Sequence, residues 1–201
     1  EFIMGHSCQA LALCCLAAST FFAVPLCVRI HEGLIFSNRD RRTLMDKMVQ
    51  LISSLSIGTP CYLIADAYYA AGKIAQFLLE NGDHLITRVR STAVAYQPPQ
   101  LPKHRGRGRP KKYGKKFRLK KLFEDTQAFT TIPSPIPAEK NVTISYRSLD
   151  LIWKPVAKLV RFVLIIHPQH GRTIYMTTDL NLSPEKVLSV YALRFKIDAH
   201  S

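Results

Sequence analysis

Cys61-Tyr62-Leu63-Ile64-Ala65-Asp66-Ala67-Tyr68-Tyr69 is a short apolar run that closes on a single carboxylate. It follows Gly58-Thr59-Pro60 and leads into helical spacing over residues 72–80. An apolar run this short, bounded by Gly and Pro, reads as a buried strand rather than a helix. Asp66 then stands at the carboxyl end of a strand, where open α/β sheets place their ligands. The same residue also suits an N-cap or a turn, where a short carboxylate accepts from backbone N–H groups. The stretch alone leaves both readings open.

Upstream, residues 2–28 carry no Lys, Arg, Asp or Glu. The run over residues 11–28 is about long enough to span a bilayer, so an apolar anchor or signal peptide has to be weighed. No basic segment precedes it, Pro25 lies inside it, and Ser19-Thr20 divides it into two strand-compatible halves. Two adjacent strands joined near residues 18–20 is the preferred reading. Apolar residues at Leu44, Met45, Met48, Val49, Leu51, Ile52 and Leu55 then follow a helical period, with Ser37 or Asn38 expected as its cap.

Downstream, Asn81-Gly82 ends the helix begun at residue 72, and residues 84–90 read as another strand. Strand, strand, helix, strand, helix, strand is the pattern of a mixed α/β sheet. Residues 91–123 then break the pattern, with no acidic residue and eleven Lys or Arg between Lys103 and Lys121. Pro98-Pro99 and Pro102 introduce this block, which reads as a largely irregular insertion. Strand signals resume at residues 141–146, and residues 160–167 and 173–178 flank a turn at Pro168-Gln169-His170-Gly171. Ser183-Pro184-Glu185 opens a last helix expected to run to the end of the chain. On it Tyr191, Arg194 and Asp198 share one face by spacing.

The 201 residues are 47% hydrophobic and 21% charged, which is globular composition. Twenty-eight Lys and Arg against fourteen Asp and Glu leave a net charge of +14, which calls for a polyanionic partner. The charge sits in one block rather than along an amphipathic helix, so nucleic acid is expected and a membrane surface is not. Five cysteines without a C-x-x-C pair suit a reducing compartment better than a disulfide frame or a zinc site.

Tyr191-Ala192-Leu193-Arg194-Phe195-Lys196-Ile197-Asp198 resembles the Y-(2)-R-(3)-E-(6)-K signature of bacterial insertion-sequence transposases of the DDE type. The run from Leu63 to Tyr69 resembles the strand that carries their second Asp. Gly5-His6-Ser7, Phe162-Val163, Thr178-Asp179-Leu180 and Leu182-Ser183-Pro184 are similar to segments of that group too, in the right order along nearly the whole chain. The resemblance implies a ribonuclease-H-like mixed sheet with flanking helices and a basic, partly β insertion between the second Asp and the final acidic residue. It implies an N-terminal core part at 1–90, the insertion at 91–140, and a completing part at 141–201.

It further implies two Mg²⁺ (or Mn²⁺) ions and cleavage and joining of double-stranded DNA, at transposon ends and target. A homodimer is compatible with it, no membrane is involved, and the setting is the bacterial cytoplasm and nucleoid. Asp66 and Asp198 would be the catalytic metal ligands, since hard cations take carboxylate oxygens. Tyr191 and Arg194 would meet DNA. Asp198 stands where the family has Glu, the chain ends before the signature Lys, and it begins after the strand that would carry the first Asp. From these departures a truncated polypeptide without strand-cleaving activity is expected.

Arg105-Gly106-Arg107-Gly108-Arg109-Pro110-Lys111-Lys112 is similar to an AT-hook, which places Arg in the narrow minor groove of A·T-rich DNA. The alternative function is therefore a non-catalytic DNA-binding protein that acts through Arg105, Arg107, Arg109, Lys111 and Lys112. A solvated basic loop that tracks phosphates is the plainer reading of the same residues.

Overall fold

The computed structural model describes residues 7–17, 20–31, 41–55, 57–100 and 111–194. It divides into two compact units, one formed by residues 1–59 and 192–201 and the other by residues 60–191.

In the first unit, β1 (Ser7–Ala17) and β2 (Thr20–His31) form an antiparallel two-stranded sheet. The apolar run is thus two strands, as its internal Ser-Thr break suggested. The register shifts between Leu11 and Ala12, where Leu11 faces Cys27 and Ala12 faces Pro25. Such a bulge lets a strand carry proline, which has no N–H for the ladder. Helix α1 (Leu44–Ser53) begins at Thr43, not at the earlier serine or asparagine, which lie outside the described residues. Thr43 Oγ1 accepts from the Asp46 N–H at 3.2 Å, and the Asp46 carboxylate accepts from the Thr43 N–H at 2.8 Å. This reciprocal pair satisfies donors that the first helical turn leaves open. No helix among the described residues is long and apolar enough to cross a membrane.

The second unit is built on an eight-stranded mixed sheet. Its strands are β3 (Tyr62–Ala65), β4 (His84–Arg88), β5 (Val94–Tyr96), β6 (Lys116–Arg118), β7 (Thr130–Pro133), β8 (Thr143–Trp153), β9 (Lys158–His167) and β10 (Gly171–Thr177). Their order is β3-β4-β10-β9-β8-β5-β6, and β7 also pairs with β8. Among the described residues only β3 and β4 run parallel, joined by helix α2 (Gly72–Glu80); every other pair is antiparallel. A parallel pair needs such a crossover, whereas the Pro168–His170 turn suffices between antiparallel β9 and β10.

Local chemistry explains these joints. Gly82 has φ +79°, and the Asp83 N–H reaches back to the Leu78 carbonyl at 2.8 Å, closing α2 in the left-handed conformation that glycine tolerates best. Gly171 (φ +70°) does the same for the β9–β10 turn. Strand β9 buries Val160, Phe162 and Leu164 on one face and Val163 and Ile165 on the other, all at 4% exposure or less. A strand covered on both faces reads as a continuous apolar run, as residues 160–167 do. Helix α3 (Pro184–Ala192) covers one face: its Val187, Leu188 and Tyr191 pack with Ile86, Ile144, Val163 and Ile165. Arg161 anchors the approach to α3, forking onto Asp150 at 2.8 Å twice and donating to the Leu182 carbonyl at 2.8 Å.

One expectation agrees with the structure and one needs correction. The basic block is partly β and otherwise largely irregular where it is described: β5 and β6 pair within it, a 3₁₀ segment runs over Leu119–Phe123, and the Tyr96–Ile152 pair joins it to β8. Ala95, Leu119 and Phe123 are buried at 2% or less, so these few apolar residues anchor the block despite its charge. The last helix ends at Ala192, and Leu193 and Arg194 form a turn.

Candidate active site

Strand β3 is the edge of the eight-stranded sheet, and Asp66 follows its last residue. The Asp66 side chain accepts from the Tyr68 N–H at 2.9 Å and caps the 3₁₀ turn Ala67–Tyr69. Its backbone carbonyl accepts from the Thr87 hydroxyl of β4 at 2.8 Å. Cap and strand-end position therefore coexist in one residue. Asp66 is half-buried, so its carboxylate remains within reach of solvent.

At the other end of β3 a second carboxylate is differently placed. Asp179 is buried, accepts from the Tyr62 hydroxyl at 2.5 Å and takes the Asn181 N–H at 2.9 Å. Burial raises its pKa, but these hydrogen bonds and the charges of His84 and Arg161 outweigh it and hold the carboxyl below its usual range. The same bond pushes the Tyr62 phenol up to about 12. The Tyr62 ring also stacks on His84, with centroids 5.9 Å apart. Asp179 organises the loop that leads into α3.

The remaining site candidates are dispersed. Tyr191 is 2% exposed, its ring edge-on to Tyr175 at 4.8 Å in the core. Arg194 lies in the turn past α3, so it does not continue a helical face from Tyr191. Asp198, Arg105, Arg107 and Arg109 lie outside the described residues, and Lys111 and Lys112 are exposed. Missing from the sequence reading were Arg88, Arg90, Lys120 and Arg172, which line a common cleft beside Ala67. They come from three separate segments, and no spacing rule connects them.

One group of metal-capable side chains occurs among the described residues: Glu139, His167 and His170, with ligand atoms within 4.8 Å of one another. Hydrogen bonds already engage His167 Nδ1 and Glu139. His167 Nδ1 accepts from the Gln169 and His170 N–H groups, each at 3.1 Å, which leaves the ring proton on Nε2. That Nε2 is buried and lies 3.3 Å from Glu139 Oε2 without a hydrogen bond to it. Glu139 also accepts a short hydrogen bond from the Ser134 hydroxyl. The group ties the β9–β10 turn to the segment before β8. Asp66 offers a half-exposed carboxylate, a donor type that hard divalent cations take.

The sequence matches the family model of the transposase DDE domain over residues 13–197. No curated protein matches the chain as a relative. The mixed α/β architecture agrees with the ribonuclease-H-like fold of that family, whose members use divalent metals and bind DNA. With most of its length matched, the chain belongs to the DDE-domain transposases and serves DNA transposition.

Proposed function

We propose that Asp66 is a carboxylate ligand of the divalent-metal centre with which this family cuts and rejoins DNA phosphodiesters, and that Asp198 holds the sequence position of a second ligand. The observation that carries the reading is the position of Asp66 at the carboxyl end of β3, half-exposed, in a chain of this family. Two Mg²⁺ or Mn²⁺ ions held by such carboxylates would supply activation of the attacking oxygen and stabilisation of the leaving one. The residues themselves have plainer roles. The Tyr68 N–H and the capped turn orient the Asp66 carboxylate, and the Thr87 hydroxyl fixes the backbone from which it projects.

The family type is that of insertion-sequence transposases with a Y-R-E-K-like segment at Tyr191, Arg194 and Asp198, acting on transposon ends and target DNA in the bacterial cytoplasm. Arg194 is the proposed DNA contact of that segment; Tyr191 supports it from the core. The substitution of Asp for Glu at 198 shortens the ligand by one methylene, which moves a metal ligand by more than such a site tolerates. This polypeptide is therefore proposed to bind DNA without cutting it. The competing reading is a DNA-binding protein that acts through the AT-hook-like segment from Arg105 to Lys112, favoured by the concentration of positive charge there.

Manganese binding by the purified chain tests the site. Asp66→Asn is expected to weaken Mn²⁺ binding at least about tenfold, the scale on which a lost ligand or its support acts. Unchanged Mn²⁺ affinity in that variant overturns the assignment. A nicking assay on transposon-end DNA tests inactivity, and turnover that disappears in Asp66→Ala would disprove it while confirming the site.

A further inference from the structure

Three segments of the residue 60–191 unit converge on a cleft of about 390 Å³. The end of β4 brings Arg88 and Arg90, the 3₁₀ segment Leu119–Phe123 brings Lys120, and the start of β10 brings Arg172. All four side chains are exposed, and among the described residues the lining holds no carboxylate. Among the described residues none of the four is in an ion pair, whereas Arg147 and Arg161 are neutralised by Asp125 and Asp150. Like charges gathered without a counter-charge repel one another, and an anion from outside relieves that repulsion.

The cleft is also partly preorganised. The Arg172 guanidinium lies 5.6 Å from the centre of the Phe123 ring, which is buried beneath it. Its position relative to Asp66 follows from the sheet. Ala65 faces Thr87 in the parallel β3–β4 ladder, so Asp66 and Arg88 leave the sheet at the same end. Ala67, the next residue after Asp66, lines the cleft. Besides its cations the described lining offers the hydroxyls of Ser91 and Thr173, while Phe123, the aromatic ring among its described residues, is buried. Such a lining meets phosphates and leaves bases unread.

We propose that this cleft holds backbone phosphates of duplex DNA and leads the strand to Asp66, independently of base sequence. The proposal rests on the reading of Asp66 given above. It assigns the sequence-independent part of DNA binding to the folded sheet rather than to the AT-hook-like segment.

Fluorescence anisotropy of the full chain, with A·T-rich and G·C-rich duplexes from about 50 to 200 mM salt, tests it. The quadruple variant R88Q/R90Q/K120Q/R172Q is compared with K111Q/K112Q; all of these side chains are exposed, and thermal melts check that each protein folds. The quadruple variant is expected to weaken both duplexes by the same factor and to flatten the log–log salt slope by about 0.9 per lost phosphate contact. A wild-type slope in that variant overturns the proposal. So does a loss confined to the A·T-rich duplex, or one seen only in K111Q/K112Q. Mn²⁺ binding measured on the same proteins separates the two readings. If wild type binds no Mn²⁺ the Asp66 assignment fails, while the cleft stands or falls by its slope alone.

Discussion

The two ends of strand β3 carry two aspartates with opposite fates. At the Tyr62 end, Asp179 is buried, accepts from a phenol and a backbone N–H, and lies in the field of His84 and Arg161. At the other end, Asp66 caps a single 3₁₀ turn and is half-exposed beside a cleft lined with cations. A carboxylate enclosed by donors stabilises the fold and has little capacity left for a ligand. One that caps a turn at a strand end keeps its access. The two residues have the same side chain, and only their surroundings separate a structural acid from a candidate ligand.

Substitution can break this contrast, and the largest effect is expected at the closed end. Asp179→Ala removes the acceptor of two hydrogen bonds to a charged group and should cost about 2–3 kcal/mol in urea unfolding. A cost no larger than that of Asp66→Ala, about 1 kcal/mol for a lost cap, would erase the distinction. Next comes Gly72, at the start of α2. A Cβ there would meet Pro155 Cβ at 2.7 Å and the Pro155 carbonyl oxygen at 2.8 Å. Gly72→Ala should therefore cost about 1–3 kcal/mol, as overpacking against backbone does, and calorimetric melting would read it as a lower Tm.

Tyr62→Phe should cost about 1 kcal/mol at neutral pH, a value kept low because Tyr62 is 41% exposed and water can replace its bond. The pH dependence has a definite sign. The folded pKa of Asp179 is depressed, so its stabilisation is complete above the unfolded-state pKa of about 3.9 and is lost as pH falls through the folded value. The gap between wild type and variant should close on that acid side. The Tyr62 phenol is shifted up to about 12, so on the alkaline side its contribution is lost between the usual value of 10.0 and that one. A gap that stayed constant from pH 7 to strong acid would show that Tyr62 and Asp179 are not coupled. The smallest stability change belongs to Asp66→Asn, within about 0.5 kcal/mol, because Asn caps as well as Asp. Its consequence should appear in Mn²⁺ binding alone.

Much of the architecture was legible in advance, and the residues explain why. The strand at 62–65, the helix at 72–80 and the hairpin at 158–177 are each specified by a local period and closed by Gly, Pro or Asn. Asp66 was legible because strand ends are recognisable from the same signals. The cap at Thr43 was missed because several polar residues precede α1, and only the reciprocal bonds to Asp46 identify the one that caps. The end of α3 was missed because Tyr191, Arg194 and Asp198 satisfy helical spacing whether or not the helix continues. Spacing reports a face and says nothing of where the helix stops.

The sequence by itself determined the mixed α/β class, the charge that demands a polyanion, and a carboxylate at a strand end. These follow from periods and composition that act over a few residues. The tertiary structure alone decided that Asp179 is enclosed, that Tyr191 belongs to the core, and that β5 and β6 extend the sheet through the basic block. It also brought Arg88, Arg90, Lys120 and Arg172 to one cleft. Those outcomes depend on residues distant in the chain that become neighbours once the sheet has formed, and burial and electrostatic environment are set by such neighbours.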